Sequence, residues 1–320
     1  MASTVIVVVT SEKFYWYPQG FPRLDNVELL AAYSVGVLSF LATVRRYRLD
    51  HVSGAIVGST VFSLVVEGSV TPVMYEDGPL PILALYFLGW HGVFSVVVGW
   101  YGFRHLAIHG RRLQLAGAAT AYGALVGLWS TIYWLPSQIA GMRADDDVVW
   151  DAGRWSTGKF GVYTIVVTAI LVVAHRVLGA VWPEDWQISR IGSGVLVTVV
   201  VAGVLLWTVA VFYAPIKFVV FALMVRFLIV WSAPLERLEH IPPRRSLFES
   251  LAGPTSWRSV APIACVAPAA TATYAAVSVI DPPAAVLDIV YWTIVAATTV
   301  TGIAALWWAV RHRRMNLADH

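Results

Sequence analysis

The stretch Val52–Met74, VSGAIVGSTVFSLVVEGSVTPVM, decides the fold. A helix that crosses a bilayer needs about 20 mostly apolar residues, and this run supplies that length with one ionisable group, Glu67. Working outward, similar runs recur at Asn26–Val44, Leu80–Gly102, Leu113–Leu135 and Phe160–Trp182. Four more follow at Ser193–Tyr213, Ile216–Trp231, Val260–Ile280 and Val286–Val310. The seventh run is short, and only Ala214-Pro215 separates it from the sixth. The pattern predicts an all-α polytopic integral membrane helix bundle of about nine transmembrane helices.

Composition agrees. Of 320 residues, 58% are hydrophobic and 13% charged, with a mean hydropathy of +0.70. A soluble domain carries about 25% charged residues, so half that charge cannot cover a water-exposed globule. A soluble enzyme, a nucleic-acid binder and a disordered chain are excluded. The formal net charge of +3 does not imply a nucleic-acid partner, because the basic residues sit in short loops beside apolar runs.

The loops give the expected orientation. Arg45, Arg46, Arg48, Arg111, Arg112 and the tail Arg311-His312-Arg313-Arg314 fall on one side, and the acidic run Asp145-Asp146-Asp147 on the other. Positive loops stay inside, which puts the N-terminus outside and the C-terminus in the cytoplasm of a multi-pass protein of the cell membrane. An odd number of spans keeps the basic tail inside. The chain reads as a single membrane domain over 1–320, with an extracytoplasmic N-terminal segment over 1–25. An outer loop covers 136–158, and a cytoplasmic loop covers 232–258. In that inner loop, Ser246-Leu247-Phe248-Glu249 has the form of a capping box starting an interfacial helix. Val5–Val9 is too short for the apolar core of a signal peptide. The single cysteine, Cys265, lies in an apolar run and excludes an intramolecular disulfide.

Ionisable groups at membrane depth are costly and mark function. Glu67 falls in the series Ser59, Ser63, Glu67, Thr71, whose i, i+4 spacing places all four on one helix face. That face must look into the bundle, since lipid offers its polar groups no partner. A carboxyl held there is a candidate general acid; its structural alternative is a hydrogen bond to a neighbouring helix. On the third run, His91 is either a hydrogen-bonded interior residue or the proton partner of Glu67. His91 and His105 share a helix face, but haem would need a matching histidine pair on a second helix, and the fifth run offers only His175. No metal and no cofactor are expected. Candidate substrate-binding residues are Ser63, the rings Tyr75, Tyr86, Trp90 and Trp129, and Arg226, which either snorkels or holds a lipid phosphate. Gly54xxxGly58 and Gly123xxxGly127 are faces for close helix contact. No P-loop, GxSxG, HExxH or aspartate-rich diphosphate motif is present, which demotes the chemistries those motifs carry.

The glutamate in span two (Glu67), the tyrosine after it and Gly89-Trp90 in span three together resemble membrane carotenoid hydratases and membrane terpene cyclases, over a stretch of about thirty residues. The Trp-Glu pair of the cyclases is replaced here by Val66-Glu67. The resemblance implies protonation of an alkene. Three readings stay open. The first is an intramembrane enzyme acting on an apolar lipid or isoprenoid/carotenoid by hydration or cyclisation, with Glu67 as general acid. The others are a transporter for a small solute and a non-catalytic membrane subunit. Membrane lipids and an apolar small molecule are the expected partners, and the sequence sets no oligomeric state.

Overall fold

The computed structural model describes residues 1–16, 25–46, 49, 51–70, 82–136, 154–182, 189–210 and 247–318. These residues are helical or connecting, with no strand among them. In chain order, α1 is Ala2–Val8, continued by a π segment Val9–Lys13. Next come α2, Asp25–Arg46, and α3, His51–Val65, which widens into a π segment Val66–Val70. A longer π helix, Ile82–Gly102, leads into α4, Phe103–Ile108. Then follow α5, Arg112–Ser130, α6, Thr157–Ala180, and α7, Arg190–Ala210. The single turn α8, Leu247–Ser250, precedes α9, Trp257–Val260, α10, Val266–Ile280, and α11, Ala284–Ala318.

Among the described residues, six helices are long and apolar enough to cross a membrane: Val27–Arg45, Val52–Val70, Arg112–Trp134, Thr157–Ala180, Trp257–Ile280 and Ala284–Ala309. They coincide with six of the nine runs read from sequence. The third and sixth runs are helical where they are described, within Ile82–Gly102 and Arg190–Ala210, while Ile216–Trp231 lies outside the described residues. The capping box expected at Ser246 begins outside them too. Among the described residues a capping box is made at Ser256, whose side chain accepts from the Ser259 backbone while Ser259 caps Ser256 in return.

The chain divides into two compact units. The first comprises Met1–Glu28, Gly102–Trp182 and Gly253–Ala296; the second comprises Leu29–Tyr101, Pro183–Ala252 and Ala297–His320. In the first unit α5 and α10 approach backbone to backbone. A methyl built on Gly123 would fall on the Val266 carbonyl, and one on Gly127 would fall on the Ala270 carbonyl. The spacing read as a contact face is therefore used as one. Gly127→Val is expected to lower stability by about 1–3 kcal/mol, the usual cost of overpacking, as measured by denaturant unfolding in micelles. Gly158→Ala, where a methyl meets open space, is the neutral control.

Within the N-terminal segment, Ala2–Lys13 is a largely buried helix of the first unit. Its contacts climb α5 in register. Tyr122 donates to the Thr10 carbonyl at 2.7 Å, Tyr15 meets Trp129 ring to ring, and Trp16 meets Tyr133. From Thr10 to Trp16 the chain thus runs in the direction of α5. Tyr163 closes the other end by donating to the Lys13 carbonyl at 2.6 Å. Polar residues make this helix look unsuited to a bundle, but tyrosines from α5 and α6 cap its carbonyls.

Candidate functional site

The site is built in the second unit by the α2–α3 hairpin and the helix Ile82–Gly102. Residues at matching distances from the α2–α3 connection meet across the hairpin. Gly58 lies against Phe40 and Val44, and Gly36 lies against Phe62 and Val66. The missing side chains let α2 and α3 pack closely at these two levels. Ser59, Ser63 and Glu67 are all buried, as their shared face requires. The two serines turn back on their own helix: Ser59 donates to Ile56 O at 2.7 Å and Ser63 to Ser59 O at 2.9 Å. Ser63, a candidate substrate contact, thus gives its proton to the helix backbone.

Glu67 sits in the π segment Val66–Val70. A π turn inserts one extra residue, shifts the register of the face beyond it, and recurs at functional sites. Here the carboxyl meets His91, with Glu67 Oε1 and His91 Nε2 2.6 Å apart. The two side chains are 7% and 3% exposed, so bulk water does not screen the contact. His91 also lies on π-type backbone, in Ile82–Gly102. One proton on this line serves either as Nε2–H donating to a carboxylate or as a carboxyl O–H donating to Nε2. The pair can therefore exchange a proton without moving a heavy atom.

Aromatic rings wall the pair. Tyr33 and Phe62 each stand edge-to-face with the His91 ring at 5.9 Å, and 5.6 Å from one another. Such faces stabilise a neighbouring cation. Gly89, two residues before His91, lies against the Thr298 backbone of α11, which fixes the height of the histidine-bearing helix. Below the pair, Ser69 donates to Val200 O of α7 at 2.9 Å.

The other candidates are placed as follows. Trp90 is buried and meets Phe94 edge-on. Trp129 belongs to the first unit, between Tyr15 and Tyr291. Tyr75 and Arg226 lie outside the described residues, and Tyr86 is described by its backbone alone. Tyr33 and Phe62 were missed. Hairpin counting would have found them, since Tyr33 precedes the α2–α3 connection by about as much as Phe62 follows it.

No family model, no curated protein and no solved structure matches the chain. Function is carried by the site itself. The first unit has a buried ionisable group of a different kind. The Arg104 guanidinium lies 4.0 Å over Trp182 and donates to Gly253 O at 3.2 Å, and burial lowers its pKa to about 9. It stays cationic near neutrality and holds the Gly253 turn in place.

Proposed function

We propose that this chain is a multi-pass enzyme of the cell membrane. It protonates a carbon–carbon double bond in an apolar lipid of isoprenoid or carotenoid type, with Glu67 as the acid and His91 as the group that reloads it. The observation that carries this reading is the buried 2.6 Å contact between Glu67 and His91 inside an aromatic wall. In the step, the alkene π pair takes the carboxyl proton and forms a C–H bond. The O–H pair stays on Glu67 as carboxylate, and a carbocation is left facing the rings of Tyr33 and Phe62. Water then adds and releases a proton, giving an alcohol one water heavier. Alternatively a second π bond closes a ring and an adjacent C–H gives up its proton, leaving the mass unchanged. The released proton passes to solvent, and Glu67 is reloaded from solvent through His91. No electron is gained or lost overall, so the chemistry needs no redox cofactor.

Mass spectrometry of organic extracts tests the proposal in cells carrying the native gene, no gene, or Glu67→Gln. A lipid or pigment that gains one water, or shifts retention at constant mass, is expected with the native gene alone. Identical extracts in all three would count against it.

A buried Glu–His pair on widened helices also suits a proton-coupled permease, since transporter sites sit on interrupted helices near the midplane. Uptake that depends on a proton gradient would favour that second reading.

For topology, we propose nine spans from Asn26 onward, with the N-terminus outside and the C-terminal tail cytoplasmic, as the positive-inside rule favours. An Ala2→Cys chain on a Cys265→Ala background is expected to react with a membrane-impermeant maleimide in intact cells. Reaction from inverted vesicles only would overturn that orientation.

A further inference from the structure

The end of the first unit where α5 begins gathers positive charge that its own residues do not neutralise. Gly123 and Gly127 lie against Val266 and Ala270 in turn, so α5 and the helix Trp257–Ile280 run parallel. Counted back in step, Arg112 falls level with Thr255. α6 runs the other way, with Gly161 against Thr271 and Gly179 against Thr255. The starts of two helices and the end of a third therefore share one level, and they bring Arg111, Arg112, Arg176 and Arg258 to it. Arg104 is engaged there by Gly253 O and the Trp182 ring. Arg176 instead lies 6.0 Å over the ring of Trp257, which is 57% exposed. The Arg176 Nε is shut from solvent, and among the described residues no acceptor meets it. No Asp or Glu occurs in 102–135, 157–182 or 253–280, so the segments that meet here offer these arginines no carboxylate.

We infer that this end binds the phosphate of an anionic glycerophospholipid, held by Arg176 and Arg258 beside Trp257, with Arg111 and Arg112 adding to the positive field. Depth and surroundings favour a lipid over a soluble anion. Tryptophan at the end of an apolar helix marks the headgroup level, and Trp182 and Trp257 both stand here. Along α6 from Arg176, Val173, Val177 and Val181 form an exposed stripe at i, i+4 spacing. An acyl chain lies on that stripe while the guanidinium above it reaches the phosphate. Guanidinium donors fit phosphate oxygens two at a time, and basic sites between spanning helices on the cytoplasmic side hold anionic headgroups. The site lies wholly in the first unit and is independent of the reading of Glu67.

The probes are phosphatidylglycerol and phosphatidylcholine with the same acyl chains, titrated into the full chain in nonionic detergent, and native mass spectrometry counts the lipid retained. The native chain is expected to hold phosphatidylglycerol about tenfold more tightly than phosphatidylcholine. Each arginine near an anionic headgroup contributes about a factor of five. Arg176→Gln/Arg258→Gln should therefore lose the preference, while phosphatidylcholine binding stays as it was. Arg258→Gln alone changes an exposed side chain, so it keeps the test open if the double variant fails to fold, and it should weaken phosphatidylglycerol about fivefold. Arg154→Gln/Lys159→Gln removes the same charge at the other end of α6 and should change nothing. Inorganic phosphate at constant ionic strength should not displace the lipid. Equal retention of the two lipids by the native chain would overturn the site, as would native-strength binding by Arg258→Gln. An equal loss in Arg154→Gln/Lys159→Gln would reduce it to net charge, and displacement by inorganic phosphate would make it a site for free anions; either result overturns the lipid assignment.

Discussion

Conversion by a Glu67→Gln chain is expected to fall about 10²- to 10⁴-fold, the range that a positioned general acid contributes. Glutamine keeps the volume of the side chain and can still hydrogen-bond to His91, so packing around the π segment is preserved while the transferable proton is lost. Glu67→Asp should fall between the two. Its shorter arm withdraws the carboxyl from His91, which now stands 2.6 Å away, so the acid survives but loses its reloading partner. Product per folded protein, measured in membranes, reads both. A Glu67→Gln chain that converted at the native rate would remove Glu67 from the chemistry.

The second large effect is on stability. Removing one partner of a buried hydrogen bond typically costs about 1–3 kcal/mol, because the lost bond is not replaced in a medium that cannot solvate the group left behind. His91→Leu is therefore expected to destabilise the chain by that order, measured by denaturant unfolding in micelles. Replacing both partners by apolar groups is close to neutral in well-packed interiors. The Glu67→Leu/His91→Leu chain should accordingly be more stable than His91→Leu alone, an inversion that a merely space-filling histidine would not produce. Additive losses would show that the two side chains do not depend on one another.

Apolar length was legible wherever it was long. Val52–Met74 anticipates a helix that runs from His51 to Val70, and Phe160–Trp182 anticipates Thr157–Ala180. A helix that must satisfy its backbone in hydrocarbon announces itself by composition. The Gly123 and Gly127 spacing was legible for the same kind of reason, since a missing side chain on one face has few uses besides close approach. The π widening at Val66–Val70 was not, because α and π turns draw on the same residues and differ only in register. Nor was the burial of α1. Val5–Val9 is short, and its neighbours Thr10, Ser11 and Lys13 look like surface residues. What buries them is Tyr122 and Tyr163, far away in sequence, whose hydroxyls reach the Thr10 and Lys13 carbonyls. At the site, Glu67 and His91 stood out as ionisable groups in apolar runs. Tyr33 and Phe62 carried no such mark, and their place beside His91 follows from the hairpin rather than from their chemistry. Trp129 looked equivalent to them in sequence but is built into the other unit.

The measurement that tests the central claim most directly is conversion in heavy water. Purified chain in vesicles of the host lipid extract is incubated in D₂O, and products are analysed by mass spectrometry after exchange of labile hydrogens back to protium. Protonation of an alkene by Glu67, reloaded from solvent through His91, predicts one carbon-bound deuterium in each product molecule, with no product from Glu67→Gln. A product without carbon-bound deuterium, or the same labelled product from the Glu67→Gln chain, would contradict the account.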